Sequence, residues 1–420
     1  MVDDDLTKRQ AYNIRLLVSW FLYTTFSGGV RKWALTDALM ANLILGIQIG
    51  APLLFILLAK TKPLSAQTIS LTVGFSLLLL LMTFNPLAQS LGHGVIGYFL
   101  HVGVFFPLLI YLDDREAFPV ERINKLFLLV ILAEVVLGVF QFVSPADSFI
   151  NKYVRDMSEN GGIATLVGIN RVRITGTFSY IGGMTSLFTM VGFWIWGLRV
   201  KEKSTLLIYA LLVSCVIITP MTGSRGLSAL LLILVGCGFM TTLHDTRSTI
   251  GLIILGALLL IVVQTISGTS VVEEAYTGLS QRISAHGQDG ETRTRVIGQI
   301  EEIIDFKGNH PLFGTGLGAT YQGAQALFGQ SIALKEYGYY EEEPERIILE
   351  GGFLLFFARL LFWWIIFRRA AIPLLFGFIL IYIHLFYQVT VFNVFTSFYT
   401  VMGLMYLDRC YWLAHQQKAV

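Results

Sequence analysis

The sequence predicts an all-α, polytopic membrane protein: a helix bundle with about 12 transmembrane helices and one large, partly helical extracytoplasmic loop. Two observations predict this fold class. The chain is 55% hydrophobic and 14% charged, whereas soluble proteins carry about 25% charged residues. Apolar runs of the length that a bilayer requires, about 20 residues, also follow one another along most of the chain. This composition excludes a large separate soluble domain.

The apolar runs predict where the spans begin. Starts are expected near Tyr12, Ala38, Ile69, Val95, Ile123, Thr175, Leu206, Gly226, Ile250, Ile347, Ile372 and Thr390. The predicted organisation is spans 1–9 within residues 1–264, the extracytoplasmic loop at 265–346 and spans 10–12 within 347–420. The N-terminal residues lack the basic region of a cleavable signal peptide, so the first span is expected to remain as an anchor.

Lysines and arginines in the short loops predict the orientation. Most of them fall on the cytoplasmic side when the N- and C-termini are both placed in the cytoplasm. The long loop is then extracytoplasmic. Several arginines nevertheless lie on that outer face, namely Arg171, Arg173, Arg225, Arg282, Arg293, Arg295 and Arg346. Because these positions oppose the rule, a function on that face is expected to need them.

Arg225 is the most informative of these arginines. It lies in Thr222–Gly226, between the apolar runs Leu206–Met221 and Leu227–Met240. A charge at the centre of a membrane helix costs roughly 2.5–3.5 kcal/mol, so an arginine here indicates a functional site with an anionic partner. Several converging arginines could bind a diphosphate without a metal. The alternative for each arginine is a structural role, either in a salt bridge or with its side chain extended to the membrane–water interface.

The long loop carries three further patterns. Apolar residues at helical spacing predict an amphipathic helix at Glu291–Phe306, and glycines predict turns at 309–318. Glu345 and Glu350, where the tenth span begins, are candidate general bases, whereas Glu341–Glu343 are more typical of a solvated charge run. The spacing of histidines and cysteines gives no metal site, and no cofactor is expected.

These motifs, in this order, resemble the bacterial O-antigen ligase and O-antigen polymerase superfamily of membrane glycosyltransferases. The similar elements are Gly29–Trp33, Arg171–Phe178, Thr222–Gly226, Glu291–Arg293, Pro311–Gly318 and Glu350–Phe353. Ligases of this superfamily carry a histidine shortly before the Glu-x-Gly element. The stretch Glu341–Arg346 contains none, which favours the polymerase branch.

The resemblance implies a polysaccharide polymerase-type glycosyltransferase in the bacterial cytoplasmic membrane. It would transfer a glycan from a polyprenyl-diphosphate-linked oligosaccharide to a hydroxyl of another lipid-linked repeat on the outer face. Arg225 and Arg293 would act in catalysis, with Glu345 or Glu350 as the base. The diphosphate ligands would be Arg173, Arg225, Arg293 and Arg346. Further partners would be the lipid bilayer and a chain-length regulator or export machinery, and no nucleic acid is expected.

Three alternatives remain open on the sequence alone. A ligase would transfer the glycan to a lipid core or a protein, and a transporter would carry an anionic substrate past the outer arginines. Transporters tend to contain repeats and broken helices, and the sequence displays no repeat. A structural or assembly protein of the membrane is the third alternative, and it requires no cavity at Arg225.

Overall fold

The computed structural model describes residues 2–35, 37–152, 164–166, 171–201, 206–241, 270–287, 310–338 and 343–419. Within these ranges every regular element is helical, apart from an isolated bridge between Thr165 and Val172. The α-helices are α1 (Val2–Gly29), α2 (Ala38–Leu58), α3 (Ala66–Thr83), α4 (Leu91–Asp113), α5 (Asn124–Val143), α6 (Ile181–Lys201), α7 (Leu206–Thr222), α8 (Arg225–Met240), α9 (Ser270–Gly287), α10 (Gln322–Phe328), α11 (Ile332–Tyr337), α12 (Glu343–Arg369), α13 (Leu374–Tyr382) and α14 (Val394–Ala419). The all-α prediction is confirmed for this part of the chain.

The apolar helices identify the chain as a helical membrane protein. Six helical stretches among the described residues are long and apolar enough to cross a bilayer: Leu39–Leu58, Ala66–Thr83, Leu91–Asp113, Arg115–Val143, Ile181–Lys201 and Glu343–Arg369. Three shorter apolar stretches are Leu206–Thr222, Arg225–Met240 and Leu374–Tyr387. The total of about 12 spans stays a prediction. The run predicted near Ile250 and the helix predicted at Glu291–Phe306 lie outside the described residues.

The chain divides into two compact units. Unit 1 comprises Met1–Leu17, Gly46–Phe118 and Gly290–Val401. Unit 2 comprises Val18–Leu45, Pro119–Asp289 and Met402–Val420. Each unit has its own core and its own cluster of buried polar side chains, so each is described separately.

Aromatic rings form the core of unit 1, where α4 packs against α3 and α12. The ring centroids of Phe75 and Phe362 are 4.3 Å apart, and those of Phe105 and Trp363 are 5.1 Å apart. Lipid tails are as apolar as these rings, so the hydrophobic effect contributes little to helix association in a bilayer. Close ring packing therefore stabilises the unit mainly through dispersion.

Close helix packing also organises unit 2, in which α6 contacts both α7 and α8. Trp194 of α6 lies between the rings of Phe127 and Tyr406, with centroid distances of 4.3 and 3.8 Å. On α8, a Cβ atom at Gly238 would lie 2.8 Å from the Cα of Trp196. Small residues at such positions let membrane helices approach each other closely.

Helix α12 is broken rather than straight. Gly352 has φ of 66° and ψ of −172°, a conformation that is essentially restricted to glycine. Residues 16 apart in a straight helix are separated by about 24 Å along its axis. Yet Nη2 of Arg359 lies 2.7 Å from Oε1 of Glu343, 16 residues earlier. The two halves of α12 must therefore fold back towards each other at Gly351–Gly352.

A loop segment satisfies the backbone groups that the break exposes. The N–H groups of Thr315 and Gly316 donate to the carbonyls of Leu349 and Glu350 at 2.8 and 3.0 Å. The N–H of Phe353, beyond the break, donates to the carbonyl of Pro311 at 2.8 Å. Unpaired backbone groups are costly in a membrane, so a break in a span needs such partners.

Replacing Gly352 with alanine is expected to destabilise the protein by at least about 3 kcal/mol, since backbone strain alone costs about 1–3 kcal/mol. The added Cβ would also lie 2.1 Å from the carbonyl oxygen of Leu312. Gly74→Ala in α3 is the matched control, because no atom lies within 4 Å of its added Cβ. Thermal unfolding in detergent measures the stability of both variants. Equal melting temperatures would contradict the broken geometry of α12 at Gly352.

Candidate functional site

The Glu350 carboxylate is the centre of a buried polar cluster in unit 1. Its Oε2 accepts a hydrogen bond from the N–H of Gly318 at 2.8 Å. Its Oε1 accepts two from Thr320, from the N–H at 2.8 Å and from the hydroxyl at 2.6 Å. Glu350 is completely buried. A buried carboxylate requires such donors, since an ionised group without partners is costly inside a protein.

His101 of α4 contacts the same carboxylate. Its Nε2 lies 3.5 Å from Oε2 of Glu350, and both side chains are fully buried. A carboxylate has about four lone-pair directions. The three hydrogen-bond donors therefore occupy three of these directions, and the imidazole of His101 lies close to Oε2 without forming a hydrogen bond.

Arg346 completes this cluster, one helical turn before Glu350. Its Nε donates to the hydroxyl of Thr320 at 3.2 Å, and its Nη2 donates to the Thr320 carbonyl at 2.8 Å. The guanidinium also lies 4.1 Å from the ring centroid of Phe392. Glu345 is buried in the same turn of helix. We refer to His101, Gly318, Thr320, Arg346 and Glu350 as the carboxylate cluster.

The glycine turn, residues 311–320, positions the amides that Glu350 binds. Gly314, Gly316 and Gly318 have φ angles of 63°, 104° and 72°, a region that other residues rarely adopt. The turn also approaches α4 closely, because a Cβ atom at Gly97 would lie 2.3 Å from the backbone nitrogen of Gly318. The sequence prediction of turns in this stretch is therefore confirmed.

An apolar cavity of about 640 Å³ borders the glycine turn within unit 1. It is lined by Leu78, Leu81, Met82, Asn85, Pro86, Leu87, His310, Pro311, Leu312, Phe313, Gly314 and Leu354. The Asn85 side-chain amide donates to the carbonyls of Phe313 and Gly314 at 3.2 and 3.1 Å. Most of the lining is aliphatic or aromatic, which suits a hydrocarbon chain better than a sugar.

A second polar cluster, in unit 2, contains two of the outer-face arginines that the sequence singled out. Nε of Arg173 donates to the carbonyl of Thr222 at 2.7 Å, and a Cβ at Gly223 would lie 3.4 Å from that nitrogen. Arg225 is the first residue of α8, whose N-terminus is capped by the hydroxyl of Ser224. Arg173 thus lies against the motif that contains Arg225. We refer to Arg173, Thr222, Gly223 and Arg225 as the arginine cluster.

Arg171 has a different environment from Arg173. Its Nε lies 2.6 Å from Oε2 of Glu274 on α9, and the two side chains are 29% and 35% exposed. This is the salt bridge that the sequence analysis gave as the alternative for each outer arginine. Such a partly exposed pair typically contributes about 0–1 kcal/mol to stability.

Comparison of the chain with models of protein families, with curated proteins and with solved structures found no match. The functional argument therefore rests on the geometry of the two clusters. Among the described residues, no group of three or more His, Cys, Asp and Glu side chains is placed to bind a metal ion.

Three buried side chains that were not among the predicted site residues fix the turn Thr175–Thr177, next to Arg173. Oε1 of Gln141 accepts the first two N–H groups of this turn at 3.0 and 2.7 Å. Oε2 of Glu134 accepts the third at 3.0 Å. Nζ of Lys32 donates to the hydroxyl of the first threonine at 2.9 Å. For Glu134 and Gln141 the available signal was a polar residue inside a predicted span, because such residues are rare there and usually functional.

The predicted site residues fall into the two units. Arg173 and Arg225 belong to unit 2, whereas Glu345, Arg346 and Glu350 belong to unit 1. The structure connects Arg173 with the Arg225 motif through Thr222, and Arg346 with Glu350 through Thr320. Arg293 lies outside the described residues. The catalytic and binding roles of the whole set stay predictions.

Proposed function

We propose that this protein is a polymerase-type glycosyltransferase of the bacterial cytoplasmic membrane, with a polyprenyl-diphosphate-linked oligosaccharide as donor. The observation that carries the proposal is the arginine cluster, in which Arg173 is bonded to Thr222 beside Arg225 at the start of α8. The lipid tail of a polyprenyl diphosphate lies in the bilayer, and its charged diphosphate lies at the membrane–water interface. Arginines at the ends of membrane helices are placed at the same depth and can bind the diphosphate there.

The arginine cluster is suited to a diphosphate leaving group. A hydroxyl oxygen of the acceptor attacks the anomeric carbon, the bond from that carbon to the diphosphate oxygen breaks, and the hydroxyl proton passes to a base. The diphosphate leaves with additional negative charge. Planar guanidinium groups bind phosphate oxygens in pairs, and the N-terminus of α8 adds a partial positive charge. Preorganised positive groups of this kind lower the barrier by stabilising the charge as it develops. We assign this role to Arg173, Arg225 and Arg293.

The contacts of Glu350 bear on its role as a candidate base. Three of its lone-pair directions are occupied by the N–H of Gly318 and by the N–H and hydroxyl of Thr320, and His101 lies 3.5 Å from Oε2. In this proposal Glu345 or Glu350 accepts the hydroxyl proton, and Glu350 also organises the glycine turn. Arg346, which the sequence predicts as a further phosphate ligand, is bonded to Thr320 in the carboxylate cluster.

Incubation of the purified protein with a lipid-linked oligosaccharide alone tests this function. We expect a ladder of longer lipid-linked glycans and release of polyprenyl diphosphate, without nucleotide or added metal. Arg293→Ala should abolish the ladder. Turnover only after addition of a lipid core or a protein acceptor would instead indicate a ligase. No turnover with any acceptor would reject the enzyme.

One observation favours the transporter as a second candidate. Helix α12 is broken at Gly352, and its exposed backbone pairs with the glycine turn. Many transporters bind substrates and ions at broken helices of this kind. Proteoliposomes distinguish the two functions, because a transporter would move a labelled anionic glycan across the membrane without consuming the donor.

A further inference from the structure

We propose that His101 is the positioning residue of the Glu350 carboxylate, and that this pair fixes the glycine turn on the broken helix α12. The pair joins elements that are distant in sequence: His101 from α4, Glu350 from α12 and the amides of Gly318 and Thr320 from the turn. All four residues belong to unit 1.

The imidazole of His101 has its polar contact with Glu350. Its Nε2 lies 3.5 Å from Oε2 without forming a hydrogen bond, and in the described part of the chain neither Nε2 nor Nδ1 has a hydrogen-bond partner. The imidazole also has an apolar neighbour, because the ring of Phe392 contacts it edge-on with a centroid distance of 5.7 Å. Burying a histidine completely in a membrane helix is costly without a polar partner. Glu350 is the polar partner that offsets the cost of burying His101.

Glu350 in turn determines where the glycine turn lies. Oε1 has two donors, both from Thr320, whereas Oε2 has the N–H of Gly318 and the imidazole of His101. Removing His101 takes away the polar contact that Oε2 has beside its hydrogen bond from Gly318, and this weakens the orientation of the carboxylate plane. The amides of Gly318 and Thr320 would then open more often. Leaving a buried polar group without one of its partners costs about 1–3 kcal/mol, which corresponds to roughly a 5- to 150-fold change in an opening equilibrium.

Two substitutions, His101→Leu and His101→Gln, distinguish a role of His101 in positioning Glu350 from a role in packing alone. Leucine fills much of the same volume and cannot donate a hydrogen bond. Glutamine retains an N–H close to the position of Nε2 and can restore the contact. His384→Leu is the matched control, because His384 is also completely buried in unit 1 but stacks on Trp363, with a centroid distance of 4.9 Å.

Amide hydrogen exchange on the full-length protein in nanodiscs measures the effect directly. For Gly318 and Thr320, we expect exchange about tenfold faster in His101→Leu and within about twofold of wild type in His101→Gln. His384→Leu should leave these two amides unchanged. If His101→Leu does not fold, His101→Asn gives the same test, because its shorter amide does not reach Oε2.

Two results would overturn the proposal. One is wild-type exchange at Gly318 and Thr320 in His101→Leu. The other is equal acceleration in His384→Leu, since this would mean that loss of any buried histidine loosens the turn. The exchange test does not depend on the proposed function.

The part of the inference that concerns the reaction rests on the proposed function. There His101→Leu should lower kcat with the KM for the donor unchanged, and His101→Gln should recover most of the loss. Unchanged kcat in a His101→Leu variant with faster exchange would limit the role of His101 to the turn. If wild-type protein has no turnover, the proposed function fails while the exchange result remains interpretable.

Discussion

Arg173→Ala and Arg225→Ala are each expected to lower turnover of a lipid-linked oligosaccharide about 100- to 1,000-fold, the usual effect of removing one group that stabilises transition-state charge. The expectation follows from the geometry of the arginine cluster. Arg173 is bonded to the carbonyl of Thr222 at 2.7 Å, and Arg225 begins α8 three residues later. Because leaving-group charge develops only in the transition state, the loss should appear mainly in kcat. Single-turnover assays with a labelled donor measure it.

Arg171→Ala is the matched control for this series. Arg171 lies two residues before Arg173 in the same segment, carries the same charge and is paired with Glu274 at 2.6 Å. We expect turnover within about threefold of wild type, because partly exposed ion pairs contribute little. Arg225→Lys should recover only part of the activity, since an ammonium lacks the planar pair of donors. Equal losses in Arg171→Ala and Arg173→Ala would refute a specific diphosphate site.

The apolar pattern predicted most helices of the fold because a bilayer fixes the length of a span. Helices α2 and α7 begin at Ala38 and Leu206, as the sequence predicts. The sixth run was expected to begin near Thr175, but α6 begins at Ile181. The difference has a physical cause: Gln141 and Glu134 bind the backbone N–H groups of the preceding turn, and this keeps it out of the helix.

Hydropathy did not predict other features of the fold. The break in α12 falls at Gly351–Gly352, within the span that was predicted to begin near Ile347, and it is evident only from the positive φ of Gly352 and from the contact between Arg359 and Glu343. Helix α9 lies in the segment expected to be the loop. Its sequence is mostly polar and gives no span signal.

The sequence singled out charged residues but not the side chains that they contact. Arg225 and Glu350 were selected because charge within or beside an apolar run is costly, and Arg173 was selected as one of the arginines on the predicted outer face. Glu350 has a histidine beside it, although Glu341–Arg346, the stretch just before the Glu-x-Gly element, contains none. That histidine is His101, on α4. Its contact with Glu350 depends on tertiary packing, which no local pattern encodes.

The buried ion pair between Glu343 and Arg359 carries the largest expected effect on stability. Both side chains are fully buried, and Nη2 of Arg359 lies 2.7 Å from Oε1 of Glu343. The backbone N–H of Val391 also donates to Glu343, at 3.0 Å. Arg359→Met would leave a buried carboxylate with that N–H and without its counter-charge. Breaking a buried pair in this way costs about 3–5 kcal/mol.

Thermal unfolding in detergent tests this prediction against an exposed pair of the same geometry. Lys8 and Asp4 are also 2.7 Å apart, but their side chains are 73% and 70% exposed, so Lys8→Met should change stability by less than about 0.5 kcal/mol. The double variant Glu343→Gln, Arg359→Met should recover much of the loss, because it removes the uncompensated charge. Recovery would mean that the pair matters chiefly through charge balance. If the double variant is as unstable as Arg359→Met, the pair itself is needed to fold the two halves of α12 together at Gly352.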